Sequence, residues 1–133
     1  MAETLQDACT PRGAKKWHWY NIRRDLVQQG GLEDNEVMIN PGSVRPNRCA
    51  GTHKGNQFYI TWAPEQFLLV TSKEYDQELV DAFAKVVEYE PFARYKEPAT
   101  GLITTEWDKV DPQKRYQELE TEGKLELTRL LEP

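Results

Sequence analysis

Two cysteines, two histidines and two methionines in 133 residues leave little room for several classes of chemistry. Two thiols are too few for a disulfide framework and are read most simply as free cysteines in a reducing compartment. No apolar run approaches the length of a membrane span, and the N-terminus lacks the apolar core of a secretory signal, so a cytoplasmic location without membrane contact is expected. Motifs of catalysis are also missing. The segment Arg48-Cys49-Ala50-Gly51-Thr52-His53-Lys54-Gly55-Asn56 carries glycines and cations. It does not have the Gly-Lys-Ser/Thr ending of a phosphate-binding loop before a helix.

Aromatic residues are abundant, with four Trp, six Tyr and four Phe. That is enough large apolar surface for one folded core in a chain of this length. The net charge of -5 is unevenly placed. Residues 1–64 hold eight Lys and Arg against six acids, whereas residues 65–133 hold nine against sixteen, giving +2 and -7. Such a split can steer a charged partner or favour head-to-tail self-association, although most charge runs are solvated faces.

The clearest local pattern lies between Asn56 and Tyr89. Phe58, Ile60 and Trp62 alternate with Tyr59 and Thr61, the period of a strand with one dry face. A turn at Ala63 to Gln66 leads into Phe67 to Val70, which predicts a hairpin near 57–71. Thr71 to Glu74 fits a capping box. Tyr75, Leu79, Ala82, Phe83, Val86 and Val87 then recur at helical spacing, and Pro91 ends the helix near Tyr89.

Residues 1–14 read as a flexible N-terminal arm and residues 15–133 as a single α+β domain. A helix is expected from Lys15 to the paired glycines Gly30 and Gly31, and a short strand at Glu36 to Asn40. Pro41 to Gln57 contains no acid, and a long basic loop is predicted over 41–56. A strand is expected from Leu102 to Trp107. Asp111 and Pro112 open a C-terminal helix over 112–131, with Gly123 inside its apolar stripe. The expected fold is a small antiparallel or mixed sheet packed with about three helices.

Five features compete as sites. Cys9, His18, Cys49 and His53 supply the residue types of a tetrahedral zinc site, but the first pair is eight residues apart rather than the usual two to four, and no metal or cofactor is expected. Cys49 with His53 suits a thiol nucleophile in a small enzyme, if the two side chains meet. Glu106, Asp108 and Asp111 resemble a cation cluster but are ordinary solvated acids. Lys15, Lys16, Trp17, Trp19, Arg23 and Arg24, with Arg45, Arg48 and Lys54, combine phosphate-binding cations with stacking aromatics. The acidic pI of 5.1 argues against a dedicated nucleic-acid binder. Leu127, Leu130 and Leu131 form an apolar face that either docks on its own domain or meets a partner helix. The leading expectation is a non-catalytic binding or assembly protein acting through protein–protein contacts or self-association. The alternatives are a nucleic-acid-binding accessory protein using residues 15–24 and loop 41–56, and an enzyme at Cys49 and His53.

Overall fold

The structure, a computed structural model, describes residues 19–63 and 66–131. The arm expected over residues 1–14, and Lys15, Lys16 and Trp17, lie outside the described residues. The described chain runs α1 (Trp19–Gln28), β1 (Val37–Arg45), β2 (Arg48–His53), β3 (Asn56–Ala63), β4 (Phe67–Ser72), α2 (Gln77–Val87), β5 (Ala93–Lys96), β6 (Ile103–Asp108), α3 (Pro112–Glu122) and β7 (Leu125–Arg129), with a short 3-10 turn at Asp34–Glu36. The seven strands form one open sheet in the order β1-β2-β3-β4-β6-β5-β7, with every pairing antiparallel. The expected α+β architecture holds, with a larger sheet than its sequence pattern suggests. Among the described residues, no helix is long and apolar enough to cross a membrane.

The alternation that predicts the hairpin is its burial pattern. Phe58, Ile60 and Trp62 are buried, while Tyr59 and Thr61 between them are exposed. In β3 and β4, Ile60 opposes Val70 and Trp62 opposes Leu68, so the register keeps apolar side chains together on one face. Helices α1 and α2 cover that face with Ile22, Leu26, Leu79, Phe83 and Val86. Phe83 meets Phe58 edge-on, with centroids 6.2 Å apart and planes at 80°. Gly51 lets this packing close, because a Cβ there would lie 2.3 Å from the Met38 carbonyl oxygen and 2.8 Å from the Phe58 ring.

Strand β6 carries the second layer. Its consecutive residues Glu106 and Trp107 point to opposite faces, and both are buried. Trp107 joins the α1/α2 core and donates its Nε1 proton to the Tyr89 carbonyl oxygen at 3.0 Å. Glu106 turns to the other face, where Arg115 of α3 donates from Nε at 2.5 Å and from Nη2 at 3.2 Å, and the Tyr95 hydroxyl donates at 2.9 Å. Around it Phe92, Ala93, Tyr95 and Leu119 form a smaller core. Helix α3 therefore covers β5, β6 and β7 on the face opposite α1 and α2.

Three expectations are corrected. The long basic loop over 41–56 is instead the end of β1, all of β2 and the start of β3, joined by two tight turns. It lacks an apolar signature because core-facing positions are filled by Gly51 and His53, and because β1 passes through Pro41 and Gly42 with a register shift that an edge strand tolerates. The capping box at Thr71 to Glu74 does not form. The Thr71 hydroxyl pairs across strands with that of Thr104 at 2.8 Å, Asn56 binds the backbone of Glu74 through both ends of its amide, and Asp76 caps α2 by accepting from the Leu79 N–H. The helix over 112–131 ends at Glu122. Gly123, at φ 74°, reverses the chain, and Leu127 lies in β7, paired to β5.

Arg115→Met leaves a buried carboxylate with one neutral donor. With the Arg115 side chain 28% exposed, the expected loss of stability is about 2 kcal/mol, below the ~3–5 kcal/mol of a fully buried pair. Urea unfolding checks this, and an unchanged midpoint contradicts the role given to Glu106.

Candidate functional site

Two surfaces stand out. The first is the uncovered face of β1 to β4. Starting from Glu106, the register carries that face through Leu69, Thr61 and Arg48, and from Thr104 through Thr71, Tyr59 and Ala50 to Asn40. Met38 lies on the same face opposite Thr52. Away from α3, Thr61, Arg48 and Asn40 are exposed, with Met38 at 57% and Tyr59 at 43%, while Ala50 is buried beside Ser43. From Val37 to Ala63 the chain contains no Asp or Glu, so Arg45, Arg48 and Lys54 are its only formal charges. The acids lie elsewhere. Glu78, Asp81, Glu88 and Glu90 are exposed on and just after α2, which packs on the opposite face of the sheet.

The second surface is a polar corner where the β2–β3 turn meets the start of α2. His53 ends β2 on the core-facing side and is 1% exposed. Its Nδ1 lies 2.6 Å from Asp76 Oδ2, while Asp76 Oδ1 accepts the Leu79 N–H of the first turn of α2. The cap fixes the carboxylate, and the carboxylate places the proton on Nδ1. Nε2 is buried and without a hydrogen-bond partner, 3.8 Å from Glu78 Oε1. Lys54 sits in the turn with φ 53°, followed by Gly55 at φ 80°. Its Nζ is 2.8 Å from Glu78 and 4.0 Å from Glu36. The hydrogen bond to Glu78 and the charges of Glu36 and Glu78 raise the Lys54 pKa, so the ammonium persists. One ligand atom from each of His53, Asp76 and Glu78 lies within 4.8 Å of the other two, a separation suited to a metal ion.

The other sequence candidates separate. Cys49 and His53 share one face of β2 four residues apart, about 13 Å at the rise of a strand, so they form neither a nucleophile–base pair nor half of one zinc site. Cys49 is a free thiol among apolar side chains, and burial pushes its pKa from 9.0 up to about 12. A thiol so disposed is not a nucleophile near neutral pH. Cys9 and His18 lie outside the described residues. Trp19 opens α1. Arg23 is committed within the fold, donating to the carbonyl oxygens of Val37 and Asp34 at 3.0 and 2.7 Å and pairing with the Asp34 carboxylate. Arg24 is exposed beside Asp25, and Arg45 donates to the Val44 carbonyl oxygen. Glu106, expected to be a solvated acid, is instead buried at 3% exposure in its pair with Arg115, while Asp108 and Asp111 cap turns.

The three leucines divide, and Leu131 is exposed. Leu127 packs with Tyr116 on the α3 core, and Leu130 and Leu131 line a groove of about 330 Å³ with Tyr75, Val80, Ala84 and Arg94. The Asp76–His53 pair escapes a sequence reading because its partners are 23 residues apart, and only the unusual placement of a histidine on the core face of a strand hints at it.

Because the folded Cys49 holds its proton between about pH 9 and 12 while the unfolded thiol loses it, stability is expected to fall as pH rises through that window. Cys49→Ala should flatten the slope in part. Tyr95, whose pKa burial and the Glu106 charge raise, and Lys54, raised by Glu78 and Glu36, act in the same direction. Urea midpoints across alkaline pH test this, and equal slopes for both proteins refute it. Comparison of the chain with models of protein families, with curated proteins and with solved structures gives no match.

Proposed function

We propose that the protein is a non-catalytic assembly protein whose partner is a second copy of itself. The observation that supports this reading is a local separation of charge: an acid-free open face of β1 to β3 bearing Arg48, Met38 and Tyr59, and on the other side of the sheet the α2 surface bearing Glu78, Asp81, Glu88 and Glu90 with Lys85 as its one exposed cation. Each face complements the other and not itself. The contact is therefore head-to-tail, and copies stack rather than closing as a two-fold dimer. Exposed Tyr59 and Met38 supply apolar area at the centre, and Arg48 selects the acidic face.

A second reading is single-stranded nucleic acid on the same sheet face, where Tyr59 would stack on bases and Arg45 and Arg48 would meet phosphates. Tyr59 at 43% exposure on an acid-free strand favours it, and the net charge of -5 opposes it.

Light scattering after size exclusion separates the two. Self-association predicts a mass above 15.5 kDa that rises with concentration. It predicts a fall in mass as salt goes from about 0.05 to about 1 M, where the screening length drops to ~3 Å. Arg48→Glu should return the protein to a monomer, and the paired change Arg48→Glu with Asp81→Lys should restore association. A constant mass of 15.5 kDa refutes assembly. Salt-sensitive oligonucleotide binding lost in Tyr59→Ala would establish the second reading.

A further inference from the structure

The polar corner at the start of α2 has a feature that packing does not explain. His53 is 1% exposed, yet its Nε2 has no hydrogen-bond partner and faces the Glu78 carboxylate at 3.8 Å. A buried polar atom without a hydrogen-bond partner costs on the order of 1–3 kcal/mol. Nε2 also lies near a second electron-rich oxygen, an arrangement that a cation held between the two would satisfy. Asp76 does not relieve it, because it engages the other ring nitrogen, Nδ1, while its second oxygen caps α2 at the Leu79 N–H.

We propose that His53 Nε2 and the Glu78 carboxylate form a site for a zinc-class divalent cation, whose remaining positions water fills. Metal–nitrogen and metal–oxygen distances of about 2.0–2.2 Å place two ligand atoms on one tetrahedral ion roughly 3.4 Å apart. Closing the present 3.8 Å needs only a small movement of Glu78, whose side chain is 59% exposed. The Nδ1–H held by Asp76 is the orienting arrangement found behind metal-bound imidazoles: it fixes the tautomer and raises the basicity of Nε2. Glu36 and Glu78 already share a cation, since the Lys54 ammonium lies 4.0 Å from one and 2.8 Å from the other. Binding displaces Lys54, which is half-exposed at the tip of a turn and free to swing into water. A nitrogen ligand with a carboxylate selects zinc or a neighbouring transition metal over magnesium, which favours oxygen and keeps its water.

The test uses the full chain labelled with ¹⁵N-histidine, in a His18→Gln background so that the signals belong to His53. Added zinc chloride is expected to move the Nε2 resonance while the Nδ1 proton persists, and magnesium chloride is expected to leave both in place. Zinc affinity follows from the same titration. Glu78→Gln should weaken it about tenfold or more. Asp76→Asn, which retains a helix-capping side chain, should weaken it about 10- to 100-fold. Lys54→Met removes the competing ammonium and should tighten binding about two- to fivefold, the equivalent of an exposed ion pair. An Nε2 resonance unmoved by excess zinc overturns the proposal. So does an unchanged affinity in Glu78→Gln, or weaker binding in Lys54→Met.

Discussion

Strand β6 must be covered on both faces, and the layout of the molecule follows from that requirement. Trp107 on one face and Glu106 on the next position need opposite environments, one apolar and one a pocket of donors. The first is met by α1 and α2, the second by α3. Since each helix layer is wide enough for only part of a seven-stranded sheet, α3 protects β5 to β7 and leaves β1 to β4 bare on that side. The exposed face is thus a consequence of how the buried carboxylate was accommodated.

The two chemically unusual regions fall on opposite sides of the same strands. In β2, Arg48 and Thr52 look outward onto the open face, whereas Cys49 and His53 look inward. The inward pair then diverges in character. Cys49 lies over the middle of the apolar layer and behaves as a small hydrophobe. His53 lies at the end of the strand, where the core gives way to the polar start of α2, and it meets Asp76 and Glu78 there. A strand that passes from the centre of a sheet to its rim gives successive inward positions different dielectric surroundings, and this separates an inert thiol from a ligand-like imidazole.

Helix ends do much of the local positioning. Asp76 is at once the cap of α2 and the partner of His53, so the geometry of the polar corner is tied to the helix start. At the other end of α2, Glu88 takes a left-handed conformation at φ 68°, and the Tyr89 carbonyl that follows receives the Trp107 indole proton. At α3, Asp111 and Gly123 bracket a helix of weak amphipathicity with one fully buried residue, Leu119, so its placement relies on the Arg115–Glu106 pair more than on apolar area.

Sequence alone determined those elements whose signal is carried within a few residues. The alternation of Phe58, Ile60 and Trp62, the apolar run of β4, the stripe of Leu79, Phe83 and Val86, and the Asp111-Pro112 start of α3 each state their structure locally, because periodicity and capping act over one or two turns. Tertiary structure decided what depends on partners distant in the chain. Segment 41–56 becomes strand because β3 offers a complete ladder to residues that carry no apolar pattern. Leu125 to Arg129 becomes strand because β5 has an open edge beside it. Thr71 binds Thr104 instead of capping a helix, and His53 is a buried, oriented imidazole because Asp76 is brought to it by α2. Hydrogen-bond partners and burial are properties of the assembled sheet, and no window of neighbouring residues contains them.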